Sequence, residues 1–321
     1  MILISTQNGI YGWDESSHTL SRYALEGKDI RQVAATLDGT LIAYDAEGAI
    51  WTSSSRGKSW DRIADSPINE EITLLFVHPI DDDIYFGTEP PKIYRYHCTD
   101  QDWELVTDLR TLETSKSWYT PWGGPPAVRS AAPAYRDGLY LNIHVGGVLR
   151  TLDRGATWQP TNDGLELDVH EVATCREREH ALYTATADGF YLSEDGGASW
   201  KARNNGLAIR YSRGIAIHPD QPETILISGS PTSPWGWRTH GKRFSLFRST
   251  DDGAQWKQVS HGFPEESDSE IDTHGIAFSR EISDQVLCGV RSGELYASSD
   301  AGESWSTVAA NLPSIRSLSA L

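Results

Sequence analysis

Ser193-Glu194-Asp195-Gly196-Gly197-Ala198-Ser199-Trp200 carries the pattern Ser-x-Asp-x-Gly-x-x-Trp, and the pattern recurs along the chain. Ser249, Asp251, Gly253 and Trp256 repeat it, as do Ser298, Asp300, Gly302 and Trp305. Thr151, Asp153, Gly155 and Trp158 differ only by Thr for Ser. Ser53, Ser55, Gly57 and Trp60 lack the Asp, and Tyr96, Cys98, Asp100 and Trp103 keep little but the Trp. A hydroxyl and a carboxylate four and two residues before a Gly can accept backbone N–H bonds in a tight turn. The Gly supplies a positive φ without steric cost. The Trp adds a large ring to bury and one N–H that needs a partner. The stretch therefore reads as a self-capped hairpin turn with an apolar anchor.

The Trp anchors at 60, 103, 158, 200, 256 and 305 recur with a base period of about 42 residues, lengthened by insertions. That period fits four short strands per blade of a β-propeller. Strand A is small and apolar, as in Val33-Ala34-Ala35 or Ile215-Ala216-Ile217. A turn such as Asp38-Gly39 leads to strand B, a Gly leads to strand C with the turn motif, and strand D follows the Trp. Blades begin near residues 29, 70, 126, 167, 210 and 270. Met1 to Glu26 reads as strands B, C and D, and Ser314 to Leu321 as one more strand A. Joined, they complete a seventh blade and leave the ring without free edges. The expectation is an all-β, seven-bladed propeller of four-stranded antiparallel blades in one domain, 1–321. No helix is expected, and each anchor Trp is expected between strands of its own blade.

The recurring motif resembles the Asp-box (BNR) repeat of sialidase-like and related β-propellers. The resemblance covers most of the chain. It implies a structural role for the box, on the outer C–D turn of each blade, away from the usual binding face. Seven-bladed Asp-box propellers that look similar include photosystem II assembly factors, which are binders with an arginine patch. Others are halves of xyloglucanase-type enzymes, which use two carboxylates in a cleft between two propellers. The stretch Trp122 to Ser130 looks similar to bacterial Asp-box proteins.

A formal charge of −17 argues against nucleic acid and anionic membrane surfaces as partners. Seven Lys against 21 Arg is a composition suited to a high-salt or GC-rich source. Cys98, Cys175 and Cys288 are scattered without metal-type spacing and are expected to be reduced and buried. The chain opens as a strand, not a signal peptide, and the cytoplasm is the expected location.

Two insertions break the period, Thr107 to Pro126 and Gly229 to Phe244. They fall between blades three and four (D to A) and between strands B and C of blade six. In propellers such loops share one face. Each insertion carries a Pro-Trp-Gly unit, 121–123 and 234–236, with Trp118, Tyr119 and Trp237 nearby. Trp118, Trp122, Trp235 and Trp237 either cap the propeller or offer a stacking platform to a sugar or other flat ligand.

Aligned strand A starts give one column: Arg316, Arg31, Thr73, Arg129, His170, Arg213 and His274. Two residues earlier, on the same side of each strand, stand Ser314, Asp29, Glu71, Ala127, Asp168, Tyr211 and Asp272. Equivalent positions on successive blades ring the mouth of a central channel, and His144 at the end of strand B in blade four should reach it. The cations either pair internally with the neighbouring carboxylates or bind an anion through guanidinium forks. Asp168 with His170 and Asp272 with His274 could tune imidazoles as acid or base. His144, His170 and His274 could instead ligate a metal; no other cofactor is implied. His78 and His218, in His-Pro turns, should lie on the opposite face as structural residues.

The sialidase resemblance would make Arg31, Arg129, Arg213 and Arg316 a source for an arginine triad, and Tyr211 with Glu71 or Glu171 a nucleophile pair. The chain departs from that pattern in blade count and lacks the N-terminal Arg-Ile-Pro-type motif. The leading reading is a site for a small anionic or carbohydrate ligand, bound and, if the protein is an enzyme, acted on in a glycosidase-like or lyase-like way. The alternatives are a scaffold that binds another protein and a His-based metal site.

Overall fold

The structure is a computed structural model that describes residues 1–80, 82–98, 100–134 and 138–321. Seven four-stranded antiparallel sheets form a seven-bladed β-propeller. Blade one takes strand A from the C-terminus (Ile315–Ala320) and B, C and D from the N-terminus (Ile2–Thr6, Gly9–Asp14, Thr19–Ala24). Ile4 pairs with Leu318 and Leu3 with Ser319, so the two chain ends are zipped together as expected. The A strands of adjacent blades neighbour one another all the way round, which puts strand A innermost.

Each blade buries two apolar faces because each is sandwiched between neighbours. Val148 and Tyr140 of blade four pack with Val172 and Leu182 of blade five, and equivalent clusters fill the other gaps. Sheets stacked face to face at about 10 Å leave room for large side chains only between blades. That spacing corrects the expectation for the Trp anchors. Strands within a sheet stand too close, about 4.8 Å, to admit a ring between them. Trp200 crosses instead to the preceding blade, where Nε1 donates to the Thr161 carbonyl at 2.7 Å. Trp256 likewise donates to the Arg203 carbonyl at 2.7 Å, and Trp158 packs among Leu74, Tyr85 and Ile93 of blade three. Trp60 and Trp103, in the degenerate copies, are only half-buried.

The turn motif forms the predicted bonds. Ser193 Oγ accepts from Gly197 N at 2.9 Å, and Asp195 Oδ1 accepts from Ser199 N at 2.8 Å. The copies at 151, 249 and 298 repeat both contacts. Gly197 has φ 87°.

Two other expectations are corrected. A helix is present, Pro234–His240, and 3-10 turns occupy Leu109–Thr111 and Glu113–Ser117. All three lie inside the two insertions, where the strand period is absent. Pro234 sits at the helix start, and Gly241, at φ 74°, ends it. Cys175 and Cys288 are buried, but Cys98 is exposed because it lies in a C–D turn at the outer rim.

Candidate functional site at the channel mouth

The strand A column is built by a repeated backbone irregularity. Pairing between strands A and B skips Arg31, Thr73, Arg129 and His170. It skips Arg316 in blade one and Arg213 with Gly214 in blade six. Each of these is the extra residue of a β-bulge, a device that re-aims a side chain while the ladder resumes around it. Blade seven differs. Its strand A is only Ile276–Phe278, and His274 precedes it at φ 58°.

The acidic partners are distributed differently from the sequence expectation. Arg316 makes a fork on Asp29, Nε to Oδ1 at 2.9 Å and Nη2 to Oδ2 at 2.8 Å. Arg31 stands 3.6 Å from the same carboxylate. Thr73 Oγ1 is spent on the Val128 carbonyl at 2.6 Å. Asp272 does not serve His274. It accepts from Arg213 Nε at 3.0 Å and also bonds Nη2, with Arg291 3.7 Å away. Although burial opposes ionisation, these guanidinium charges hold the Asp272 carboxyl well below the usual range. Such a carboxylate is fixed as an anion and is a poor general acid or base.

His274 finds Glu171 instead. Its Nδ1 lies 2.7 Å from Glu171 Oε1, while Oε2 accepts from Ile215 N at 3.0 Å and His274 N at 3.3 Å. The 272–275 segment thus reaches from blade seven to a buried carboxylate of blade five. Burial disfavours the imidazolium, but Glu171 outweighs it and raises the His274 pKa. Tyr211 receives Arg213 Nη1 at 3.4 Å, and burial raises its pKa. Glu171 is therefore engaged with His274, not with Tyr211. Glu71 is exposed.

Asp168 and His170 do come together, and His144 joins them. Both His Nε2 atoms lie 3.3 Å from Asp168 Oδ1. The His170 ring is fully buried, and its Nδ1 lies 2.5 Å from the Ser212 carbonyl. Burial lowers both imidazole pKa values, His144 to about 4. His274, placed with the other two by the sequence reading as a metal set, is on Glu171; Asp168 takes its place in the cluster.

Arg129 stands among these groups. Burial, then the Arg213 charge, lowers its pKa, while Asp272, Tyr211 and Asp168 pull the other way. Among the described residues it makes no ion pair, unlike Arg213 and Arg316.

Of the four insertion tryptophans, Trp122 stacks on His144, centroids 4.7 Å apart and planes at 30°. Trp237 sets its edge against Tyr211 at 5.9 Å and donates Nε1 to the Thr232 carbonyl at 2.8 Å. Trp118 packs into the core between blades three and four, and Trp235 is 75% exposed on the helix. Two tryptophans thus border the cluster and two do not. His78 and His218 are buried, and His218 Nδ1 accepts from Asp220 N and Gln221 N at 3.2 and 3.1 Å, which agrees with a structural part.

Sequence reasoning named Glu171 only as a partner of Tyr211, missing its pairing with His274, and it missed Glu270 altogether. The latter, 6% exposed, accepts from Lys242 Nζ at 2.8 Å and Arg291 Nη1 at 2.9 Å. A signal existed: Glu171 follows the ring residue His170, and Glu270 precedes Asp272 by two. It also missed Glu89, at the end of strand B in blade three, close to the position His144 has in blade four. Burial and Glu71 raise its pKa, against the pull of Arg129. Two grooves of about 520 and 1010 Å³ hold none of the ring residues.

No family model matches the chain. An oligoxyloglucan-reducing end-specific xyloglucanase from Emericella nidulans is 26% identical over 200 residues. The match covers 56% of this chain and 23% of that protein, so the chain spans about a quarter of its length. The GH74 xyloglucanase from Xanthomonas campestris superposes with a TM-score of 0.68 at 15% identity, covering 96% of this chain and 52% of that one. YCF48 bound to D1 peptide superposes with a TM-score of 0.60 at 14% identity, over 87% and 80% of the two chains. At these identities the structural likeness shows the propeller fold alone. No helix of the described residues is long and apolar enough to cross a membrane.

Proposed function

We propose that the propeller binds a small anionic, sugar-like ligand at the channel mouth, with Arg129 as its anion partner and Trp122 as its stacking face. The observation that carries this reading is the difference among the arginines. Arg213 and Arg316 are tied into forks on carboxylates, whereas Arg129 sits beside Arg213 with no ion pair among the described residues. A guanidinium short of an anion in a partly dry site binds carboxylate or phosphate bidentately. The 49% exposed ring of Trp122 adds an aromatic face suited to a sugar. The xyloglucanase relative supports a carbohydrate, and the turn geometry supports the Asp-box resemblance. Any glycosidase-like or lyase-like step would fall to Asp168 with His170 and His144, because Asp272 and His274 are committed elsewhere.

The test is a thermal-shift screen of sugar acids and phosphates against the wild type and Arg129→Ala. An anion should raise the wild-type melting temperature and leave the variant's unchanged. If no anion shifts the wild type, or both proteins shift equally, the reading falls. A scaffold reading then takes over. The 72% and 75% exposure of Tyr119 and Trp235 on the two insertions favours it, as does the likeness to a propeller solved with a bound peptide.

A further inference from the structure

We propose that His144, His170 and Asp168 form a divalent-metal site of the zinc class with one open coordination position. The inference stands on the atoms that face one another and does not depend on the anion reading.

A backbone carbonyl can only accept a hydrogen bond, so the Ser212 carbonyl 2.5 Å from His170 Nδ1 places the ring proton on that nitrogen. In the neutral imidazole Nε2 is then a bare lone pair, and the ring that carries it is completely buried. That lone pair faces Asp168 Oδ1 at 3.3 Å, and His144 Nε2 faces the same oxygen at 3.3 Å. All three atoms are buried, and none has a hydrogen-bond partner among the described residues. Two electron-rich atoms, His170 Nε2 and Asp168 Oδ1, converging without a proton between them repel unless a cation lies beside them.

The spacing suits such a cation. Zinc holds N and O ligands at about 2.0–2.1 Å in a tetrahedron, whose edges are then about 3.3–3.4 Å. Two imidazole nitrogens with one carboxylate oxygen select zinc, nickel or copper over magnesium or calcium. The surroundings fix the ligands as metal sites do. The Ser212 carbonyl orients His170, Tyr211 lies against the same ring at 4.5 Å, and Trp122 stacks on His144. His170 is held by its bulge, Asp168 stands two residues before it, and His144 follows directly on strand B of blade four (Leu139–Ile143). Three protein ligands leave the fourth position to water or a bound ligand.

The test uses the intact, chelator-treated chain titrated with Zn2+ and, for its visible spectrum, with Co2+. One ion per chain should bind, and Co2+ should show the intense bands of a tetrahedral site. Asp168→Asn, His170→Ala and the milder His144→Gln should each weaken Zn2+ binding at least tenfold while keeping a cooperative melt. His274→Gln should retain it, because His274 belongs to Glu171. The proposal is overturned if no stoichiometric ion binds, if Asp168→Asn and His144→Gln bind Zn2+ as the wild type does, or if His274→Gln alone abolishes binding. Arg129→Ala separates the two readings. It should lose the anion response and keep the metal.

Discussion

Asp195 shows how much one side chain settles in a repeated turn. Its Oδ1 takes the Ser199 amide and its Oδ2 the Ser199 hydroxyl, while Ser193 donates back to Oδ1 at 2.8 Å. These bonds, Ser199's hydroxyl first, lower the Asp195 pKa from 3.8. A depressed carboxylate contributes stability that is present above its unfolded pKa and lost as pH falls through the folded one. Asp195→Ala should therefore cost about 1 kcal/mol at neutral pH. The gap to wild type should close below about pH 4, read by denaturant melts across pH. It should leave anion and metal affinity unchanged, since the turn is not among the mouth residues. An affinity loss at unchanged stability would refute the structural role. The copy at 53–60 shows that the turn tolerates a hydroxyl in place of the carboxylate. Ser55 Oγ accepts from Ser59 N at 2.8 Å, the bond that Asp195 makes. One feature escaped the motif. The residue before the Gly is also left-handed, with Arg154 at φ 58°, Asp252 at 60° and Ala301 at 54°, so its identity carries no signal.

At the scale of elements, the bulged A strands explain why charged residues could occupy the innermost strand at all. A regular strand A would alternate its side chains between the two apolar gaps, whereas an unpaired residue points elsewhere. Blade seven gives up part of its strand A, and its 272–275 segment joins blade five through Glu171. That contact is testable through His274. Its raised pKa means that the pair contributes stability fully below the unfolded value of 6.5 and loses it as pH rises through the folded value. Glu171→Gln should cost about 2 kcal/mol near pH 6. The penalty should shrink toward pH 9, followed by chemical denaturation at both pH values. In the variant the His274 ring should titrate at lower pH by NMR. A penalty that does not change with pH would show that the contact carries no charge.

For the whole molecule, ring closure is the decisive feature. Strand Ile315–Ala320 supplies Ile315 and Leu318, 3% and 5% exposed, and the Arg316 fork to Asp29 of the next blade. Each of the two apolar side chains is worth about 2 kcal/mol of burial. Removing residues 314–321 also leaves strand Ile2–Thr6 as an open edge. The truncated chain should lose its cooperative melt or melt far below the intact one. Equal melting in a calorimeter would show that closure is not a source of stability.

The sequence by itself determined the number of blades, their boundaries, the shared terminal blade and the turn at the C–D corners that carry the motif. Those features repeat, and a pattern met several times at a steady interval needs no long-range information to be read. It also aligned the strand A column, six of whose seven residues the structure places at the same bulge, because equivalent strands repeat the same backbone irregularity. Which of them pair was decided only by the tertiary structure. Asp272 chose Arg213 over His274, His274 chose Glu171, and the Trp anchors chose the neighbouring blade. Those choices rest on distances between strands separated by about 40 to 100 residues and on departures from the repeat. A periodic reading averages such departures away. Packing sets them, because a buried charge takes whichever partner the folded chain brings within reach.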